Sequence, residues 1–147
     1  MDRYDKEDYP NVALREALLN SIVHKDYSFS GSNIINIYEN RIEFVSLGGL
    51  VSGLELGAIF LGVSQSRNPH LASLSYRMHL IESYGTGISK IQSSYQNELQ
   101  QPLFETTKGI FRATLPNRNE TTSSSTPYMI KEFPSLPSTY NDQNNLF

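Results

Sequence analysis

Apolar residues fill nearly every face of a helix over residues 11–25, and the polar residues that interrupt them fall four apart: Glu16, Asn20 and His24. At 3.6 residues per turn these three form one slowly drifting polar stripe. Val12, Leu19 and Val23 flank it on one side, and Ala13 and Ala17 on the other. Residues 27–32 carry turn formers. Residues 33–38 and 41–46 are β-branched and partly alternating, which predicts a hairpin turning at Glu39-Asn40, with Ile35, Ile37, Ile42 and Phe44 toward the core. A short helix is expected over residues 54–61, stopped by Gly62. Residues 64–67 read as a polar, mobile loop. Asn68-Pro69 then starts a helix, with Asn as cap and Pro at the first position, and Leu71, Leu74, Met78 and Ile81 share one face. Tyr84-Gly85-Thr86-Gly87 breaks that pattern before Ile88, Ile91 and Tyr95 resume it to about residue 98. Residues 103–107 and 110–115 predict a second hairpin around Lys108-Gly109.

Helix, hairpin, three helices, hairpin is not the strict strand–helix alternation of a doubly wound sheet. The order predicts an α+β fold, a layer of helices on a mixed, largely antiparallel sheet. Beyond Pro116 the chain turns rich in Ser, Thr, Asn and Pro without a sustained period. The expected organisation is therefore one domain over residues 1–116 and a disordered tail or linker over 117–147, in which Tyr128, Met129, Ile130 and Phe133 could dock locally.

The 147 residues suffice for one domain with a real core. A net charge of −3 is not the footprint of a self-sufficient nucleic-acid binder. The absence of cysteine excludes a disulfide frame and a thiolate metal site. No apolar run approaches the roughly 20 residues that cross a bilayer, and the charged residues 1–10 do not form a signal peptide. A cytoplasmic protein is expected. The abrupt start before a helix is equally that of a piece cut from a longer protein.

A polar stripe in an apolar helix is expected to be partly buried, where each unpartnered group costs about 1–3 kcal/mol. Two readings supply the partners: a satisfied network with neighbouring loops, or a ligand or metal site. Gly48-Gly49 permits positive φ or close backbone approach. Gly85-Thr86-Gly87, opening a helix, is a candidate anion cradle. There is no P-loop ending in Gly-Lys-Ser/Thr, no Rossmann glycine fingerprint and no nucleophile elbow, and His24, His70 and His79 share no metal-binding spacing.

Together, five segments resemble a family: Ala13-Leu14-Arg15-Glu16-Ala17-Leu18-Leu19-Asn20-Ser21-Ile22-Val23-His24-Lys25-Asp26-Tyr27-Ser28, Arg41-Ile42-Glu43-Phe44-Val45-Ser46-Leu47-Gly48-Gly49-Leu50, Ser66-Arg67-Asn68-Pro69, Leu80-Ile81-Glu82-Ser83-Tyr84-Gly85-Thr86-Gly87-Ile88, and Phe111-Arg112-Ala113-Thr114-Leu115. The series looks like the RecG-related ATP-dependent DNA helicase C-terminal domain, found in transcriptional regulators behind a Schlafen/AlbA-like domain. That family is similar in turn to the GHKL ATPases, so the resemblance implies a Bergerat-like fold that binds ATP and Mg²⁺. It implies Glu16 as general base, Asn20 as Mg²⁺ ligand with His24 beside it, Ser46, Gly48 and Gly49 at the adenine, and Gly85, Thr86 and Gly87 around the phosphates. Ser46 stands where GHKL proteins have an aspartate, and brings one hydrogen-bonding hydroxyl without charge. A glycine or small residue is usual in the family at His79, and a proline at Leu47. The partner expected of this domain is a nucleotide. DNA would be reached only through other domains, no membrane is involved, and a homo-oligomer is compatible. The alternative is a degenerate GHKL fold serving as a non-catalytic ligand-binding or dimerisation module. Without a motor P-loop or a basic surface, helicase activity is not expected of this chain.

Overall fold

The computed structural model describes residues 6–82 and 85–120. The elements run α1 (Asn11–Val23), β1 (Ile34–Ile37), β2 (Arg41–Leu47), α2 (Leu56–Phe60), α3 (Pro69–Arg77), α4 (Gly87–Ser94), β3 (Leu103–Thr106) and β4 (Ile110–Pro116). The fold is α+β. The sheet, expected to be mixed and largely antiparallel, has the order β1-β2-β4-β3, and every pairing among the described residues is antiparallel.

Register explains the core. Phe44 and Ile42 of β2 stand opposite Ala113 and Leu115 of β4, and Phe104 of β3 stands opposite Ala113. One face of the sheet is thus apolar, and Ala13 and Ala17 of α1 with Ile91 and Tyr95 from α4 and its end close over it. The small alanines let α1 lie close to the strands. The other face is polar, with Arg112 paired to Glu105 and Arg41 to Glu43. Tyr95 is fully buried, and its hydroxyl donates to Pro116 O at 2.9 Å. That bond satisfies the polar tip of a core ring.

Two expectations about facing need correction. Ile35 and Ile37 lie across from Phe44 and Ile42, yet they are 49% and 75% exposed, because β1 is an edge strand and α1 packs over β2 and β4. On α3 the inward residues are Ala72 and Ser75, while Leu74 and Met78 face outward. Close approach of the helix is achieved with small side chains, not with the large apolar ones that periodicity singles out.

Beyond β4, Asn117 N–H donates to Asn40 O at 2.9 Å, Arg118 N–H to Asp8 O at 2.8 Å, and the Asn119 side chain to Lys6 O and Asp8 Oδ1. The rest of the proposed tail, residues 121–147, and the proposed apolar contacts within it lie outside the described residues, as do Ser83 and Tyr84 in the interruption before α4.

Candidate functional site

α1 presents Glu16, Asn20 and His24 to a cavity of about 110 Å³. Gly48 and Gly49, from the turn after β2, line the same space, as do Gly85 and Gly87 at the head of α4. Seven of the nine residues expected at a site are therefore brought together. Leu19, Val23, Leu50, Val51 and Leu54 supply apolar walls. A cavity with apolar walls and a few convergent polar groups is the usual form of a small-molecule site.

The other two residues sit elsewhere. Ser46 is buried on the inner face of the sheet, where its hydroxyl donates to Phe111 O at 3.4 Å, and it borders a separate, much smaller hollow. Strand alternation explains this: Ser46 continues the Ile42, Phe44 face beneath α1 and α4, while the cavity opens past the glycine turn. Thr86 precedes α4 and does not line the cavity, although its backbone oxygen accepts from Lys90 N–H at 2.9 Å.

The glycines are explained by close packing. Gly48 has φ +96°, and a Cβ there would stand 2.8 Å from Asp26 Cβ. At Gly49 an added Cβ would strike the carbonyl oxygen of Thr107. At Gly85, with φ +79°, it would approach Ser64 Cβ at 3.0 Å. At Gly87 it would lie 2.6 Å from Asn20 Nδ2 and 3.2 Å from Glu16 Oε2, so the start of α4 rests directly on the polar stripe.

Glu16 is 7% exposed, and its carboxylate lies 3.5 Å from Lys90 Nζ. The same ammonium bonds the exposed Glu82 at 3.0 Å. These carboxylates, Glu82 foremost, raise the Lys90 pKa against the opposing effect of desolvation. At the other end of the stripe, burial lowers the His24 pKa and the charge of Arg67 adds to the effect, which favours a neutral imidazole.

Sequence reasoning missed the part played by residues 66–68. Read as the end of a mobile loop, Arg67 is a clamp: its Nη1 donates to Asp26 Oδ2 at 3.1 Å and its Nη2 to Gly49 O at 3.0 Å. The Ser28 hydroxyl and backbone N–H hold Asp26 below the usual carboxylate range, with Arg67 helping. Asn68 does precede α3, but its amide does not cap that helix. It donates to Val23 O at 2.8 Å and Lys25 O at 2.7 Å, closing the carboxyl end of α1. The available signal was a lone cation in a polar stretch, set directly before a helix start.

Among the described residues no cluster of three or more His, Asp or Glu side chains could hold a metal ion, and no helix is long and apolar enough to cross a membrane. A metal here would rely on Asn20 with Glu16 one turn away, and otherwise on groups of the ligand. Such sparse protein ligation suits Mg²⁺ bound with phosphates.

The fold and the cavity define a two-layer α+β domain whose first helix and glycine turns line one cavity. The chain belongs to the family described as "Putative ATP-dependent DNA helicase recG C-terminal", which matches residues 31–115. The matched span starts after α1, so Glu16, Asn20 and His24 meet it through packing alone. The crystal structure of the DIP2311 protein from Corynebacterium diphtheriae is similar, with a TM-score of 0.68 and 23% identity, covering 78% of this chain and 25% of that one. The present chain thus spans about a quarter of that protein's length. No curated protein matches.

Proposed function

We propose that this chain is a nucleotide-binding module of GHKL type, with ATP and Mg²⁺ as the ligands suggested by its family, acting within a DNA-associated transcriptional regulator. One observation carries the proposal: Glu16, Asn20 and His24 share a cavity with Gly48, Gly49, Gly85 and Gly87. Asn20 would hold the metal, and Glu16 would orient water, one helical turn away. Bound Mg²⁺ would neutralise phosphate charge. Binding is expected to be weak and turnover slow or absent. Lys90 competes for the carboxylate that a general base would use, and Ser46 offers nothing to an adenine from its place beneath the helices.

These last two facts also favour a second reading, a non-catalytic ligand-binding or dimerisation module with the same fold. Titration with Mg²⁺ and ATP separates the two. The proposal expects shifts in the amide signals of residues 85–88 that depend on Mg²⁺ and are lost in Asn20→Ala. Glu16→Gln should keep binding and lose whatever turnover exists. An Asn20→Ala variant that only lowers the melting temperature, with no ligand response in the parent chain, would leave the second reading.

A further inference from the structure

We infer that the open edge of β1 is a docking site for this chain's own residues 128–133, which add to the sheet as a further antiparallel strand; the inference stands apart from the nucleotide proposal. β1 ends the strand order, and among the described residues no strand pairs with its outer side. The Tyr38 N–H donates to Arg41 O at 2.8 Å, so by alternation Asn36 and Ile34 also turn their backbone groups to β2. Ile35 and Ile37 turn theirs to the open edge. Natural edge strands are blunted by a charge, a proline or a bulge. Ile34-Ile35-Asn36-Ile37 has no charge and no proline, and its register with β2 is unbroken. The side chains of Ile35 and Ile37 are exposed on the face that α1 covers farther in, and Leu18 and Ile22 are exposed on the flank of α1 away from Glu16 and Asn20.

The course of the chain selects the occupant. β1 and β4 are both antiparallel to β2, so they run the same way and finish at the same end of the sheet. There Asn117 N–H donates to Asn40 O in the β1–β2 turn. A chain that turns back from this end runs antiparallel to β1. From Glu120 to Tyr128 it reaches up to about 26 Å. The three strand spacings from β4 to the far side of β1 need about 14 Å.

The side-chain pattern selects the segment and its register. Opposite residues of an antiparallel pair share a face, so Ile35 and Ile37 match two apolar residues spaced two apart. Within residues 121–147, proline aside, Tyr128 and Ile130 are the only such pair. Tyr128 then stands opposite Ile37 and Ile130 opposite Ile35, while Met129 and Lys131 fall on the outer face opposite Asn36 and Ile34. A shift by one residue would set Lys131 against Ile35 beside α1. Pro127 and Pro134 bracket the segment and none lies inside it, so every N–H that the ladder needs is present.

The test is amide hydrogen exchange of the full chain, read by NMR at two protein concentrations. The Ile35 and Ile37 amides are expected to exchange at least about tenfold more slowly in the parent chain than in Ile130→Asp, which sets a charge beside Ile35. Phe44 and Leu115, inside the ladder, should stay protected in the variant and show its fold intact. Leu136→Asp, beyond Pro134, should leave Ile35 and Ile37 slow, and the parent chain should sediment as a monomer. Fast exchange at Ile35 and Ile37 in the parent chain, or slow exchange that survives Ile130→Asp, would overturn the inference. So would an equal release by Leu136→Asp. Protection that grows with protein concentration would assign the edge to a second copy of the chain instead.

Discussion

Glu16 on α1 and Lys90 on α4 face each other across the helix pair, with 3.5 Å between carboxylate and ammonium. Because the Glu16 side chain is 9% exposed, removing the cation strands a charge with little water to replace it. Lys90→Met is expected to lower stability by about 1–3 kcal/mol in urea denaturation. Combining it with Glu16→Gln should recover part of that loss, giving a coupling of at least about 0.5 kcal/mol. Strict additivity would show that the two groups do not interact.

His24 sets a pH dependence. Its pKa is lowered in the folded state, so the unfolded chain takes up the proton first as acid is added. The stabilisation is complete above the ordinary value of 6.5 and is lost as pH falls through the lower, folded value. Stability should therefore decline below about pH 6.5, by no more than about 1.4 kcal/mol per pH unit from this group. His24→Gln should flatten that part of the curve in a pH series of thermal melts.

His79 has φ +55° just past the end of α3. Its N–H donates to Tyr76 O and the Leu80 N–H to Ser75 O, the paired bonds of a helix end that favours glycine. Arg15 holds the same end by donating to His79 O and Leu80 O. His79→Gly is expected to stabilise the chain by about 0.5–1 kcal/mol, because relief of the strained backbone exceeds the entropy lost by glycine. A lowered melting temperature would count against this account of the turn.

Two of the glycines should respond differently to alanine. At Gly49 the new methyl meets Thr107 O and lies 3.1 Å from Lys108 C, and backbone in a tight turn cannot swing aside. A loss of about 2–3 kcal/mol is expected. At Gly87 it meets the ends of the Asn20 and Glu16 side chains, which can rotate, and alanine favours the helix. Gly87→Ala should stay within about 1 kcal/mol of the parent in stability and act on ligand binding, through Asn20.

The elements were legible because local signals agreed with the fold. The Glu39-Asn40 and Lys108-Gly109 turns, the Asn68-Pro69 helix start and the polar stripe of α1 each rest on residues within a few positions of one another. What escaped depends on distant chain. That Ile35 and Ile37 are exposed follows from which strand α1 covers, and that α3 turns Ala72 and Ser75 inward follows from how near the helix must come. Ser46 was given a site role by its neighbours in sequence, but the alternation of β2 turns it under α1. Arg67 escaped because its partners, Asp26 and Gly49, lie far off along the chain and nothing local announces them. Of the candidate site, the stripe and the glycines could be read in advance; the clamp and the Lys90 pairing could not.

The strand order has a consequence for how the chain is made. β2 and β4 are neighbours at the centre of the sheet, although residues 41–47 and 110–116 are synthesised far apart. The β1–β2 hairpin can close early, but one edge of β2 keeps unpaired backbone groups, and Ile42 and Phe44 lack the opposite half of their core, until β4 emerges. Folding must wait for that late strand, as ladders between distant segments are slow to close. In the interval the nascent chain carries an open, partly apolar sheet edge, the kind of surface that recruits chaperones or pairs with the wrong strand.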